Sequence, residues 1–146
     1  MITDKLKTIL TASGCTLVIY DQQQLQNLFV DRSDQFDTIG LIMVPNDITL
    51  EVRANAIAEH YQYINLEILQ QVRLEEKAEF HDVQMQTLLD VCKEIIVRLI
   101  AEAEFKTLRP LVATRVLENK YDANVIGWAL AVDLYYLKNE NRDPCL

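Results

Sequence analysis

Glycine and proline are scarce: the chain holds three of each, Gly14, Gly40 and Gly127 with Pro45, Pro110 and Pro144, among 146 residues. That is too few for a glycine-rich phosphate cradle, a solenoid of tight turns or a proline-rich linker, which excludes Rossmann and P-loop readings. Long apolar runs are also missing. The longest, Val125 to Val132, falls far short of the roughly 18 to 20 residues of a membrane helix. Positive charge is in deficit, with 14 Lys plus Arg against 22 Asp plus Glu and a formal net charge of −8. Such a chain repels a phosphate backbone and an anionic bilayer, so neither direct nucleic-acid binding nor membrane association is expected.

Cysteine is sparse and badly spaced for structural chemistry. Cys15, Cys92 and Cys145 form an odd set with no C-x-x-C pair and no histidine at zinc-ligand spacing, which argues against a disulfide scaffold or a zinc site and for reduced thiols in a cytosolic setting. Lys5 and Lys7 followed by Thr8 to Cys15 have the outward form of a lipoprotein cleavage site. A signal, however, needs an apolar stretch of about 7 to 15 residues, and only five residues, two of them Thr, separate Lys7 from Ser13. The segment reads instead as an amphipathic helix, Met1 to Ala12, with Ile2, Leu6, Ile9 and Leu10 on one face and Gly14 at its C′ position.

What is present is apolar patterning. Half of the chain is apolar, enough for one domain over residues 1–146 with a full core, the last residues, 138–146, forming a polar frayed tail. Cys15 to Tyr20 reads as a strand, Asp21 as the cap of a brief helix over Gln22 to Phe29, and Val30 to Gln35 as polar loop. Phe36 to Val44 is the next strand, and Pro45-Asn46-Asp47 predicts a hairpin turn after it. The chain then runs extended from Ile48 to about Val72, with Ala54 to Glu59 open between strand and helix. Asp82 to Ala103 is the strongest helix. Asp82 is read as its cap; Met85, Leu88, Leu89, Cys92, Ile95, Ile96 and Leu99 recur at helical spacing, and Leu88, Leu89, Cys92, Ile96 and Leu99 are expected to pack on a sheet.

Beyond that helix the period changes from 3.6 to 2. Ile126, Trp128, Leu130, Val132, Leu134 and Tyr136 alternate with Gly127, Ala129, Ala131, Asp133 and Tyr135, so one face of the strand is bulky and the other small or polar. Leu111 to Leu117 is the expected partner strand, joined through a loop over Glu118 to Asn124. The fold class expected is α+β, a mainly antiparallel sheet with helices packed on one face.

Candidate chemistry is thin. His60 and His81 are the only histidines, and neither lies in a catalytic or metal-binding motif; adjacency of His81 to Asp82 near Glu79 does not supply convergent ligands. Glu75, Glu76 and Glu79 before the long helix suit the positive end of its dipole better than acid–base work. Cys92 on an apolar helix face is a small hydrophobe with no nucleophile signature. The expectation is of no enzyme activity, no catalytic residue, no metal and no cofactor.

The run Tyr121-Asp122-Ala123-Asn124-Val125-Ile126-Gly127-Trp128-Ala129-Leu130-Ala131-Val132-Asp133-Leu134 resembles the final hairpin of small tail-completion, or tail-terminator, proteins of tailed bacteriophages and prophages. The element order resembles that family over most of the chain, the motif over about fifteen residues. The resemblance implies a non-enzymatic virion protein that forms a homo-oligomeric ring, commonly of six subunits, between the tail tube and the neck proteins. It also implies assembly in the bacterial host cytoplasm and residence in the virion. Asp122, Asn124, Gly127 and Trp128 would be architectural, with the small face of Ala129 and Ala131 meeting a neighbour. The strong acidity departs from what the family requires and leaves a neighbouring neck or head-completion component open. A second resemblance, in size, charge and mixed element order, is to small acidic chaperones of secretion systems that bind a partner protein; those close with a helix, whereas the last element here reads as strand.

Overall fold

Ile2, Leu6, Ile9 and Leu10 are all buried along one side of α1 (Ile2–Ala12). The helix stops at Gly14, whose φ of +117° is open to glycine and closed to most other residues. The computed structural model describes residues 2–20, 38–72, 78–120 and 123–137. The expected short helix at Gln22 to Phe29 and loop at Val30 to Gln35 lie outside them, as do Glu75, Glu76, Asp122, Cys145 and the tail.

After α1 come β1 (Leu17–Ile19), β2 (Ile39–Met43), β3 (Thr49–Arg53), β4 (Ala56–Gln71), α2 (Ala78–Ala101), β5 (Phe105–Lys120) and β6 (Ala123–Tyr136). The chain is α+β. Its six-stranded sheet runs β1-β2-β4-β6-β5, with β3 alongside the first part of β4. Only β1 with β2 is parallel; the other pairings among the described residues are antiparallel. Both helices lie on one face, α1 over β1 and β2 and α2 over β4, β6 and β5. Their buried side chains join Ile42, Tyr61, Ile64, Leu66, Ile68, Leu130, Val132 and Leu134 in the larger core cluster. A smaller cluster of Ile19, Ile39, Leu41, Leu69, Val116 and Val125 occupies the opposite face and contains no residue of either helix.

Four details correct the sequence reading. The hairpin does not form at Pro45: β2 pairs with the far half of β4, Ile39 with Leu69 through Met43 with Asn65, and β3 instead turns straight back into β4. Arg53 pairs with Ala56, which leaves Ala54 and Asn55 as the turn, and Ala54 carries a φ of +52°. Glycine is the usual residue at such a position, so the turn was invisible to a search for Gly or Pro. The ambiguous stretch Ala54 to Glu59 is strand from Ala56 onward. The long helix begins at Ala78, so Asp82 lies inside it and is no cap.

The third and fourth corrections concern facing and length. Met85, Leu88, Cys92, Ile95 and Leu99 are the buried stripe of α2, while Leu89 and Ile96 are only partly buried on its flank. The face is narrower than the list of apolar residues suggested because α2 rests on a sheet along one seam. The strands of the last hairpin are longer than expected: β5 reaches Lys120 and β6 starts at Ala123, so Glu118 to Lys120 and Asn124 are strand, not loop. Polar residues are tolerated there because β5 is an outer strand and Asn124 is paired with β5 alone, the pairing of β6 with β4 starting at Val125.

Ala54 offers a direct test of the turn. A left-handed L-residue costs about 1 to 2 kcal/mol, and glycine gives back about 0.5 to 1 kcal/mol through the greater freedom of the unfolded chain. Ala54→Gly is expected to stabilise the protein by about 0.5 kcal/mol, raising its melting temperature by about 1 to 2 °C. A melting curve showing a loss of several degrees contradicts the turn assignment.

Candidate functional site

The residues singled out by motif fall on β6, between β4 and β5. Gly127 is paired with Leu69 on one side and Val116 on the other, Trp128 with Ile68 and Arg115, Ala129 with Glu67 and Thr114, and Ala131 with Asn65 and Val112. Asn124 pairs with Asn119 near the start of the strand.

Gly127 is a close-approach position. A Cβ built there would lie 1.9 Å from the Ile68 carbonyl oxygen and 2.9 Å from its carbon, both backbone atoms of β4. Trp128 points the other way, onto the helix layer. Its indole Nε1–H donates to the Met85 carbonyl oxygen of α2 at 3.0 Å, its ring packs against the larger core cluster, and the Arg115 guanidinium lies 5.9 Å from the ring centroid. The ring is half-buried, so it closes the rim of the core and ties α2 to the sheet. Ala129 and Ala131 lie on the opposite face, also half-buried, and Ala129 packs against the smaller cluster. Beside Ala129 in the pairing row stands Glu67, 1 % exposed.

Farther along that face, His60 stacks on Tyr135 with ring centroids 4.1 Å apart and planes 20° apart. The Tyr135 hydroxyl donates to Glu51 Oε1 at 3.1 Å. The stack fixes the base of the β3–β4 hairpin, and His60 serves it through its ring. His81 lies in the second turn of α2, apart from His60. Among the described residues no group of three or more His, Cys, Asp or Glu side chains converges as metal ligands would.

Cys15 and Cys92 are free and buried. Burial pushes both thiols up to about 12, with each other's proximity adding to the effect at Cys92. Thiols held protonated in this way are poor nucleophiles, and they serve as packing groups between α1, α2 and the sheet. No helix among the described residues is long and apolar enough to cross a membrane.

One charged cluster contributes to stability. Lys5 Nζ of α1 donates to Glu102 Oε1 at 2.9 Å and lies 3.0 Å from Glu104 Oε1, clamping the start of α1 to the segment after α2. The bond from Lys5 holds the Glu102 carboxyl below its usual 4.5, against the opposing effect of burial. Burial lowers the Lys5 ammonium, but the bonds to Glu102 and Glu104 outweigh it and the net direction is up from 10.5. Stability from Glu102 is therefore complete above its ordinary value and is lost as pH falls through the depressed one. That from Lys5 is complete below its ordinary value and is lost as pH rises through the raised one. Lys5→Met is expected to cost about 1 kcal/mol near neutral pH and to flatten the acid limb of stability against pH. Urea midpoints measured from neutral pH down into the carboxylate range are the check; parallel acid limbs for the two proteins rule out the clamp.

The sequence reading missed the exposed apolar side chains. Leu50, Val52 and Ile57 on the β3–β4 hairpin are 62, 79 and 60 % exposed, and Ile100 on α2 is 64 % exposed. The alternation of Leu50 and Val52 with Glu51 and Arg53 was the available signal, and it is identical to that of an ordinary half-buried strand. No family model, curated protein or solved structure matches the chain.

Proposed function

We propose that the chain is a non-enzymatic structural protein of a tailed bacteriophage or prophage, one that completes the tail or joins it to the neck as a homo-oligomeric ring. The sequence resemblance of the Tyr121 to Leu134 run supplies the family. The observation that carries the reading is that, among the described residues, the sheet ends in two unlike edges. One end is β5, a 16-residue outer strand; the other holds β1 and β3, of three and five residues. Joining unlike surfaces head to tail generates a closed ring when the rotation closes. The buried thiols and the histidine ring stack are consistent with a scaffold.

On this reading the partners are other copies of the chain, the tail tube and the neck proteins, and the protein passes from the host cytoplasm into the virion. The six-subunit ring is the family's common size. The alternative reading is a small acidic secretion-type chaperone that binds a partner protein; those proteins usually close with a helix, whereas the last element among the described residues is the strand β6.

Native mass spectrometry and negative-stain electron microscopy of the purified protein, alone and mixed with tubes assembled from the tube protein of the same genome, test the proposal. A ring in either condition, seated at the tube end in the second, is the expected result. A monomer in both overturns it.

A further inference from the structure

Resting on the ring reading, we infer that the ring contact is an extension of the sheet, in which β3 of one copy adds to the outer edge of β5 of the next. Its exposed apolar side chains then lie beneath the outer flank of α2.

The two surfaces are incomplete in complementary ways. Leu50 and Val52 of β3 share a face with their partners Glu59 and Ile57 of β4, and Glu59 in turn pairs with Tyr136, a member of the helix-side core. The exposed apolar face of the hairpin is thus the side of the sheet that carries the helices. Among the described residues no helix lies above it: α1 lies on β1 and β2, and α2 on β4 to β6. The reverse holds at the other end. Val91 faces Gly14, and Arg98 and Glu102 line a cleft with Thr8, Ile9 and Ala12, so this side of α2 is turned to α1. Leu89, Ile96 and Ile100, spaced at i, i+7 and i+11, are on the opposite flank, toward the β5 end of the sheet, where among the described residues no further strand lies beneath them.

Level, direction and charge agree with the contact. Leu50 pairs with Glu59, Glu59 with Tyr136 and Tyr136 with Phe105, so Leu50 is level with the end of β5 that follows directly from α2. Because β3 and β4, β4 and β6, and β6 and β5 are each antiparallel, β3 runs opposite to β5. A neighbour turned about an axis along the strands therefore brings the two edges together antiparallel. β5 carries Lys106, Arg109, Arg115 and Lys120 against Glu118 alone, in a chain of net charge −8; Asp47, Glu51 and Glu59 outnumber Arg53 around the hairpin. Like charge on β5 opposes pairing of β5 with its own copy and favours the unlike edge.

Cysteine trapping tests the contact. Leu50→Cys and Ile100→Cys are combined in a Cys145→Ser background and mildly oxidised. Ile100 lies on the flank of α2 toward β5, and in one chain β5 is three strand spacings, about 14 Å, to the side of β3, so the lateral separation of the pair exceeds the roughly 7 Å between Cα atoms that a disulfide spans. Only a link between copies can form. The expected result on a non-reducing gel is a ladder of dimer, trimer and higher products that neither single variant gives. In parallel, Ile100→Glu, at an exposed site that leaves melting unchanged, is expected to weaken self-association in sedimentation velocity about tenfold or more. Rings of the wild-type chain with no ladder, or with dimers only, overturn this interface and leave the ring reading standing. A wild-type chain that stays monomeric throughout overturns both.

Discussion

Gly127→Ala is expected to be the most damaging single-methyl change in the described part of the molecule. The new Cβ would lie 1.9 Å from the Ile68 carbonyl oxygen and 3.0 Å from the Leu69 Cα, so the collision is with backbone in the middle of the β4–β6 pairing. A rotamer change cannot relieve it. Either β6 shifts away from β4, breaking pairings on both sides of Gly127, or the strand bends and pulls Trp128 off α2. The cost is about 4 kcal/mol or more, a large part of the 5 to 15 kcal/mol that holds a typical domain together, and corresponds to a fall in melting temperature of roughly 10 °C or more. Gly40→Ala is the matched control. Its Cβ would meet the Leu10 Cδ2 at 2.7 Å and the Cys15 Sγ at 3.2 Å, the ends of side chains rather than backbone, and is expected to cost clearly less. Unfolding followed by the fluorescence of the single tryptophan distinguishes the two. Equal melting temperatures for them refute the close approach at Gly127.

How much of this was legible in the sequence depends on whether the signal is local. The buried face of α1, its stop at Gly14, the alternation along β6 and the long helix before it are carried by period and by glycine chemistry within a few residues, and each matches the structure. Pairing partners are a different matter. Pro45-Asn46-Asp47 is a good turn sequence, yet the chain there passes between strands that do not pair with each other. The real turn uses Ala54, whose left-handed backbone no composition rule announces. Glu118 to Lys120 looked like loop because polarity was taken for solvent on all sides, whereas an outer strand needs only one covered face. Leu89 and Ile96 looked like core because helical spacing gives a side of a helix and not what covers it. The same limit applies to the candidate interface: Leu50, Val52 and Ile100 are apolar residues in good period, and only the tertiary fold reveals that they are exposed among the described residues.

Trp128→Ala is the second large effect expected, and its size separates core from surface. The ring fills the rim between β6 and α2, and its Nε1–H is bonded to the Met85 carbonyl at 3.0 Å. Truncation removes the packing and the bond together and leaves a gap that α2 closes only in part; for a half-buried ring this comes to about 2 to 4 kcal/mol, at or below the usual range for large aromatics. Trp128→Phe retains most of the packing and loses the indole donor, for about 1 kcal/mol beyond the smaller ring's packing loss. Arg115→Ala removes the guanidinium 5.9 Å from the ring centroid, an exposed contact of about 0.5 to 1 kcal/mol. Chemical denaturation followed by far-ultraviolet circular dichroism should rank the losses as Trp128→Ala, then Trp128→Phe, then Arg115→Ala. Because the ring faces the helix layer, none of the three should abolish self-association while the fold persists. If Trp128→Ala leaves the denaturation midpoint in place and removes assembly, the indole belongs to the surface that meets a neighbour, and its bond to Met85 contributes little to holding α2 on the sheet.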